Sequence, residues 1–216
     1  MQLFSYYRSS AAYRVRIALE LKGIQYGITP VNIATGEQRS AGYLADNPQG
    51  LVPSLKLDSG AVISQSLAIL EWLEEAQPQH PLYPHSQLQR AQYRALCQHI
   101  ACDIHPLNNL RVLSYLRDEL QQPQQSVDRW YAHWIQSGFR AIEAAVQSHP
   151  GRFSLDADPG MLEVMLVPQV YNARRFHVDL TDFPGIVALD ARCQLIDAFA
   201  KAHPLAQPDA PETERR

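Results

Sequence analysis

Pro78, Pro81 and Pro84 crowd the stretch Gln77 to Gln87, and the pattern of the chain changes across it. Proline lacks a backbone donor and fixes φ, so this density interrupts helix and sheet alike. Before it, strand and helix signals alternate. Gln2 to Tyr7 is a short apolar and aromatic run suited to a buried strand. Ser9-Ser10 then precede AAYRVRIALELKG, in which Ala12, Val15, Ala18 and Leu19 recur at helical spacing. The serine reads as an N-cap and Gly23 as the stop. Ile24 to Val31 predicts a second strand and Glu37 to Ala45 a weaker helix. Val52 to Leu57 and Ala61 to Ile63, separated by Asp58-Ser59-Gly60, predict a hairpin. Ser64-Gln65-Ser66 opens a helix, LAILEWLEEAQ, that stops before Pro78.

Beyond the prolines strand signals almost vanish. Leu88 to Leu120 reads as a long helix interrupted at Pro106. Val127 to Val146 reads as a second, with Trp130, Trp134, Phe139 and Ile142 as its core side. Shorter helices follow over Met161 to Phe176, Pro184 to Cys193 and Cys193 to Ala202. The expected fold is mixed α/β first and all-α second. The expected boundaries are a domain over 1–80, a linker over 81–87, a helical domain over 88–206 and a frayed tail over 207–216.

Composition narrows the function. The 216 residues are 46% hydrophobic and 19% charged, enough to build a core. Nineteen basic against twenty-two acidic side chains leave −3, which is not the charge of a nucleic-acid binder. No apolar run is long enough to span a bilayer. Three cysteines and no visible export signal argue against a disulfide framework and for a cytoplasmic protein.

Four runs can carry chemistry. In Arg8-Ser9-Ser10-Ala11-Ala12-Tyr13-Arg14-Val15-Arg16 a strand feeds a helix N-terminus, whose free N–H groups and dipole favour an anion such as a thiolate. A serine there can donate to that thiolate, or simply cap the helix, worth about 1 kcal/mol. In Asn47-Pro48-Gln49-Gly50-Leu51-Val52-Pro53 a cis Val52–Pro53 bond would turn the Val52 backbone outward to pair with a peptide ligand; trans is the commoner form. Gln65-Ser66 stand where a helix N-terminus can hold a carboxylate, with capping again the alternative. Cys97, Cys102 and His105 suggest a metal, but Cys97 and His105 would lie about 12 Å apart along a helix, too far to share one ion. His105, Asn109 and Arg111 instead sit where Pro106 breaks the helix, facing either a cleft or solvent. Arg174-Arg175 can clamp a carboxylate or favour a helix C-terminus.

Together these runs resemble the glutathione transferase superfamily, and its zeta class in particular. The likeness rests on R-S-S-x-x-x-R-V-R-I-A-L (Arg8 to Leu19), N-P-x-x-x-V-P (Asn47 to Pro53), Q-S-x-A-I-x-E-W-L (Gln65 to Leu73) and L-V-P-Q-V-Y-N-A-R-R-F (Leu166 to Phe176). It extends to about Pro208. Cys102 to Leu113 is similar to the bacterial members that act on maleylacetoacetate. The resemblance implies a thioredoxin-like N-terminal domain, an all-α C-terminal domain, a homodimer and glutathione as cofactor. It implies Ser9, with Ser10 beside it, as the thiolate-stabilising serine. Gln38, Val52, Pro53, Gln65, Ser66, His105 and Asn109 would hold glutathione, and Arg8, Arg111 and Arg175 the carboxylates of a small dicarboxylate substrate.

The implied activity is glutathione-dependent isomerisation of maleylacetoacetate to fumarylacetoacetate, in tyrosine and phenylalanine catabolism. The alternatives are maleylpyruvate isomerisation, general glutathione transfer, or glutathione binding without catalysis. No metal, nucleic acid or membrane enters this reading. Two positions depart from the class pattern. Ala11 and Ala12 stand where many members have cysteine and serine, and Gly160-Met161-Leu162-Glu163 replaces the usual Ser/Thr-x-x-Asp capping box. The second departure predicts lower stability or slower folding.

Overall fold

A computed structural model describes residues 1–148 and 158–215. It divides into two compact units, Met1–Leu82 with Gln194–Arg216, and Tyr83–Cys193. The break between Leu82 and Tyr83 falls in the proline-rich stretch.

The first unit is built on a four-stranded sheet, β1 (Gln2–Ser5), β2 (Gly27–Pro30), β3 (Ser54–Lys56) and β4 (Val62–Ser64), in the order β2-β1-β3-β4. β1 runs parallel to β2 and antiparallel to β3, and β3 and β4 form the expected hairpin. The helices are α1 (Ser10–Leu21), α2 (Ala41–Asp46) and α3 (Ser66–Ala76), with a 3₁₀ turn over Glu37–Arg39. Helix α1 starts and stops where its sequence says. Ser9 caps it by accepting from the Ala12 N–H at 3.2 Å, and Gly23 takes φ +65° beyond the C-cap, a conformation open to glycine. The weak helix expected over Glu37 to Ala45 becomes the 3₁₀ turn and α2, separated by Ser40, which caps α2 through the Tyr43 N–H.

The chain end departs from expectation. Gln194–Arg216 belong to the first unit, not to the helical domain. There α9 (Asp197–Ala202) packs on α1. Arg16, fully buried in α1, donates Nε to the Ala202 carbonyl at 3.0 Å. Residues 207–215 are not frayed either. Gln207 and Ala210 are buried, the Asp209 carboxylate accepts from the Tyr7 N–H, and Arg215 donates to the carbonyls of Gln207 and Pro208. Composition suggested a loose tail because its anchors lie about two hundred residues away along the chain. Arg216 lies outside the described residues.

The second unit holds helices and no strand among its described residues. Its helices are α4 (Gln87–Gln98), α5 (Leu110–Ser114), α6 (Gln124–Ser148), α7 (Met161–Arg175) and α8 (Pro184–Cys193). The long helix expected over Leu88 to Leu120 is broken more than once. π-helical turns span His99–Ile104 and Tyr115–Glu119, with a 3₁₀ turn at His105–Asn108 around Pro106. Helix α7 is buried almost all round, as a central helix should be. The core side of α6 is Tyr131, Ile135, Phe139 and Ile142; Trp130 and Trp134 are only half-buried at its margin. The buried Glu143 carboxylate accepts the Gly185 and Ile186 N–H groups at 2.8 and 2.9 Å, so an anion from α6 caps α8.

Candidate functional site

Sheet register gathers the first group of candidates. Phe4 pairs with Ser54, and Ser54 with Ser64. The exit of β1 toward Arg8 and Ser9, the entry to β3 at Pro53 and the exit of β4 toward Gln65 therefore share one end of the sheet. Ser9 caps α1 without using its own proton. Its oxygen accepts from Ala12 N–H, while no described residue accepts the Ser9 hydroxyl proton. A hydroxyl has one donor and two lone pairs, so capping leaves the donor available. Ser10 is buried and already has an interaction of its own.

The Val52–Pro53 peptide bond is cis. Among the described residues nothing hydrogen-bonds to the Val52 backbone, and its side chain packs against the cluster of Tyr6, Tyr7 and Ala210. The preceding loop is held from within. Tyr43 OH and Asn47 Nδ2 both donate to the Leu51 carbonyl, at 2.6 and 2.7 Å, and Asn47 Oδ1 accepts from Gln49 N–H. Gly50 (φ +61°) lies against the Gln38 carbonyl, where a Cβ would sit only 3.1 Å from that oxygen. The Gln38 side-chain oxygen beside this loop is buried with no hydrogen-bond partner.

At the head of α3, Gln65 has φ +70° and ψ 122°, a strained backbone for a residue with a side chain. Its amide donates to Gln49 Oε1 at 2.7 Å. Ser66 is buried and accepts from Arg14 Nη1 at 3.3 Å, joining the N-terminus of α3 to α1. Arg8 is half-buried. Its Nη2 donates to Tyr6 OH at 3.4 Å, its Nη1 lies 3.8 Å from Glu214 Oε1, and its guanidinium stands over the Tyr7 ring. Burial opposes the Arg8 charge, but Tyr6, Tyr7 and Glu214 outweigh it and hold the guanidinium firmly protonated. Burial, reinforced by a hydrogen bond to Glu214, pushes the Tyr7 phenol well above its usual range.

In the second unit, His105 opens the 3₁₀ turn after the π-helical stretch, Asn109 follows it, and Arg111 stands in the first turn of α5. Asn109 caps α5 by accepting from Arg111 N–H at 3.1 Å. Trp130 Nε1 donates to the Leu107 carbonyl and Asn108 Nδ2 to the Tyr131 carbonyl, so α6 fixes the turn. His105 is half-buried and Arg111 exposed. The two arginines ending α7 separate in role. Arg174 is engaged by the buried Asp190 carboxylate. Arg175 is exposed, its guanidinium 4.6 Å from the centre of the Phe176 ring, which stacks on Tyr131. Cys97 is buried and Cys102 exposed, and among the described residues no three His, Cys, Asp or Glu side chains gather as a metal site would require.

Known proteins are similar to this chain in sequence and in fold. The family model described as Glutathione S-transferase, N-terminal domain, matches residues 8–76. A maleylpyruvate isomerase of a Ralstonia species is 46% identical over 97% of this chain and 100% of its own. The maleylacetoacetate isomerase of Pseudomonas aeruginosa is 44% identical over 98% of this chain and 99% of its own. The chain belongs to the zeta class of the glutathione transferases. Solved members agree in fold. A holo maleylpyruvate isomerase of this class superposes with a TM-score of 0.93 at 44% identity, covering 98% of this chain and 100% of its own. The maleylacetoacetate isomerase of Methylobacterium extorquens AM1, solved with malonate and glutathione bound, has a TM-score of 0.92 at 35% identity, with 98% and 100% covered.

Within this family frame, the first unit brings Arg8, Ser9, Ser10, Val52, Pro53, Gln65 and Ser66 to one sheet end, with Gln38 beside the Gly50 turn. His105, Asn109 and Arg111 follow one another from the 3₁₀ turn into α5 of the second unit, and Arg175 ends its central helix. Sequence reasoning missed Gln49, Tyr43 and Asn47, which shape the cis-proline loop, although Asn47 and Gln49 lie inside the quoted motif. It also missed Arg16, for which a signal existed, since an arginine amid Val15, Ile17 and Ala18 needs buried acceptors. Glu214 had no local signal.

Proposed function

We propose that this protein is a glutathione-dependent cis–trans isomerase of maleyl dicarboxylates, with maleylacetoacetate as substrate and fumarylacetoacetate as product. The observation that carries this reading is the available Ser9 hydroxyl donor at the N-terminus of α1, with Arg8 next to it. The first unit suits glutathione on its own evidence. An unpaired Val52 backbone beside cis Pro53 offers a peptide both a donor and an acceptor, the head of α3 at Ser66 favours a carboxylate, and the Gln38 oxygen lacks a partner. Gln65 completes this set; His105 and Asn109 are assigned to it from the second unit by family likeness.

When bound, glutathione supplies a thiolate that adds reversibly to the cis alkene, making its double bond single and free to rotate. The chain's own part is electrostatic. The Ser9 hydroxyl and the first amides of α1 favour a negative sulfur at neutral pH, where a free thiol is mostly protonated. Arg8, Arg111 and Arg175 are assigned to the carboxylates and the charge that develops beside the carbonyl; guanidinium suits both because it is planar and always charged. Ser9 takes this role rather than Ser10, which is buried and engaged.

A second reading, maleylpyruvate as substrate, is favoured by the 46% identity to the Ralstonia enzyme. The test is conversion of each maleyl compound to its fumaryl isomer with and without glutathione. Maleylacetoacetate should give the higher kcat/KM, and Ser9→Ala should lower kcat by roughly 10²-fold. Retention on glutathione-agarose with no turnover of either compound would leave a binding protein only. A cytoplasmic homodimer belongs to this reading, with light scattering to measure the assembly. No helix among the described residues is long and apolar enough to cross a membrane.

A further inference from the structure

The chain's last residues reach Arg8. Asp209 Oδ2 accepts from Tyr7 N–H at 2.9 Å, Ala210 packs against Tyr6 and Tyr7, and Glu214 Oε1 accepts from Tyr7 OH at 3.0 Å. That same oxygen stands 3.8 Å from Arg8 Nη1. The segment is tied to its own unit by Gln207, which is buried and donates to the carbonyls of Lys201 and His203, and by Arg215, which donates to those of Gln207 and Pro208. Thus the Glu214 side-chain carboxylate stands beside the arginine assigned to a dicarboxylate.

We propose that Glu214 is a specificity-determining residue, an internal carboxylate that competes with a bound dicarboxylate for Arg8. This rests on the assignment of Arg8 to the substrate in the proposed function. The geometry explains why the competitor is displaceable. At 3.8 Å, between side chains about one-third and two-fifths exposed, the Arg8–Glu214 pair is a loose one. Tyr7 OH, donating to Glu214, keeps the carboxylate close when it is not on Arg8. An incoming ligand must offer Arg8 more than Glu214 does. A small dicarboxylate that also meets a second cation can; a single carboxylate gains much less. Glu214 therefore lowers the affinity of every anion that must displace it from Arg8, and it penalises least a dicarboxylate whose second carboxylate can hold another cation while Glu214 still occupies Arg8.

The test is malonate binding by calorimetry to the full chain and to Glu214→Gln, both loaded with glutathione, at low salt and at 0.5 M NaCl as roughly a Debye-length contrast. Removing the competing charge should tighten malonate about 2- to 5-fold at low salt, with a smaller gain at high salt. Acetate should gain by a larger factor than malonate, because it lacks the second attachment. Glu214→Asp should stay near the parent. In turnover the gain should fall on KM with kcat little changed, a split that a merely structural role would not produce. Equal malonate affinity in parent and Glu214→Gln, or weaker binding in the variant, overturns the proposal; so does failure of both to bind. Malonate binding that responds to Glu214→Gln in a protein that isomerises neither maleyl compound would uphold the competitor and reject the isomerase.

Discussion

Arg16 offers the sharpest quantitative test of how the first unit holds its chemistry. It is wholly buried in α1 and its guanidinium spans three parts of the chain. Nη1 donates to Ser5 Oγ at 2.9 Å, Nη2 to the Tyr7 carbonyl at 3.0 Å, and Nε to the Ala202 carbonyl at 3.0 Å; the cation also stands over the Tyr13 ring. Replacing a whole buried polar network with apolar groups can be neutral, because nothing is left unpaired. Here backbone carbonyls are among the partners, those of Tyr7 and Ala202 at 3.0 Å and that of Tyr6 more weakly at 3.5 Å, and no side-chain substitution removes them. Arg16→Met keeps the bulk but leaves the two closer carbonyls without this donor, at about 1–3 kcal/mol each. A central value of about 4 kcal/mol, at roughly 2–4 °C per kcal/mol for a chain of this length, lowers Tm by about 8–16 °C. Scanning calorimetry of parent and variant measures it. Arg16→Lys, with one donor group in place of a fork, should fall between them. A Tm for Arg16→Met within about 3 °C of the parent would mean that water or a shifted backbone satisfies both carbonyls. The reasoning that buried donors clamp the Tyr6–Tyr7 turn ahead of Arg8 would then be wrong.

Gln65→Gly should raise Tm by a few degrees, since relief of about 1–3 kcal/mol at φ +70° exceeds the entropy cost of glycine, while retention on glutathione-agarose weakens; a lower Tm contradicts the strain argument. One thiol, exposed Cys102, should react quickly with iodoacetamide at about pH 8, whereas burial protects Cys97 and Cys193 and pushes the Cys193 thiol up to about 12. Peptide mapping that finds Cys193 labelled as fast in the folded protein would refute this. Gly160→Thr should lift Tm by roughly 1–3 °C, because half of the capping box is already in place in the bond from Gly160 N–H to Glu163 Oε2 at 2.9 Å and threonine would add the other half. Identical midpoints would show that glycine costs nothing there.

Local order in this protein was written in short runs of residues. Ser9 and Gly23 bound α1 because a cap and a left-handed stop act within one helical turn. The β3–β4 hairpin follows from two apolar runs around a Gly60 turn, and Asn47 to Pro53 marks its cis-proline loop within one motif. For the same reason the first-unit candidates could be named one by one. Only the fold decided which of them retain a donor or acceptor for a ligand: Ser9 and Ser10 are neighbours in sequence, yet one keeps an available proton and the other is buried. Arg174 and Arg175 are equally alike on paper, and both reach solvent, but Asp190 engages the first while the second stands over the Phe176 ring. The return of Gln194–Arg216 to the first unit, the clamp of Arg16 on Ala202 and the approach of Glu214 to Arg8 lie beyond any local pattern. Each joins residues some two hundred positions apart, and a contact of that span is set by which surfaces meet once the elements have packed.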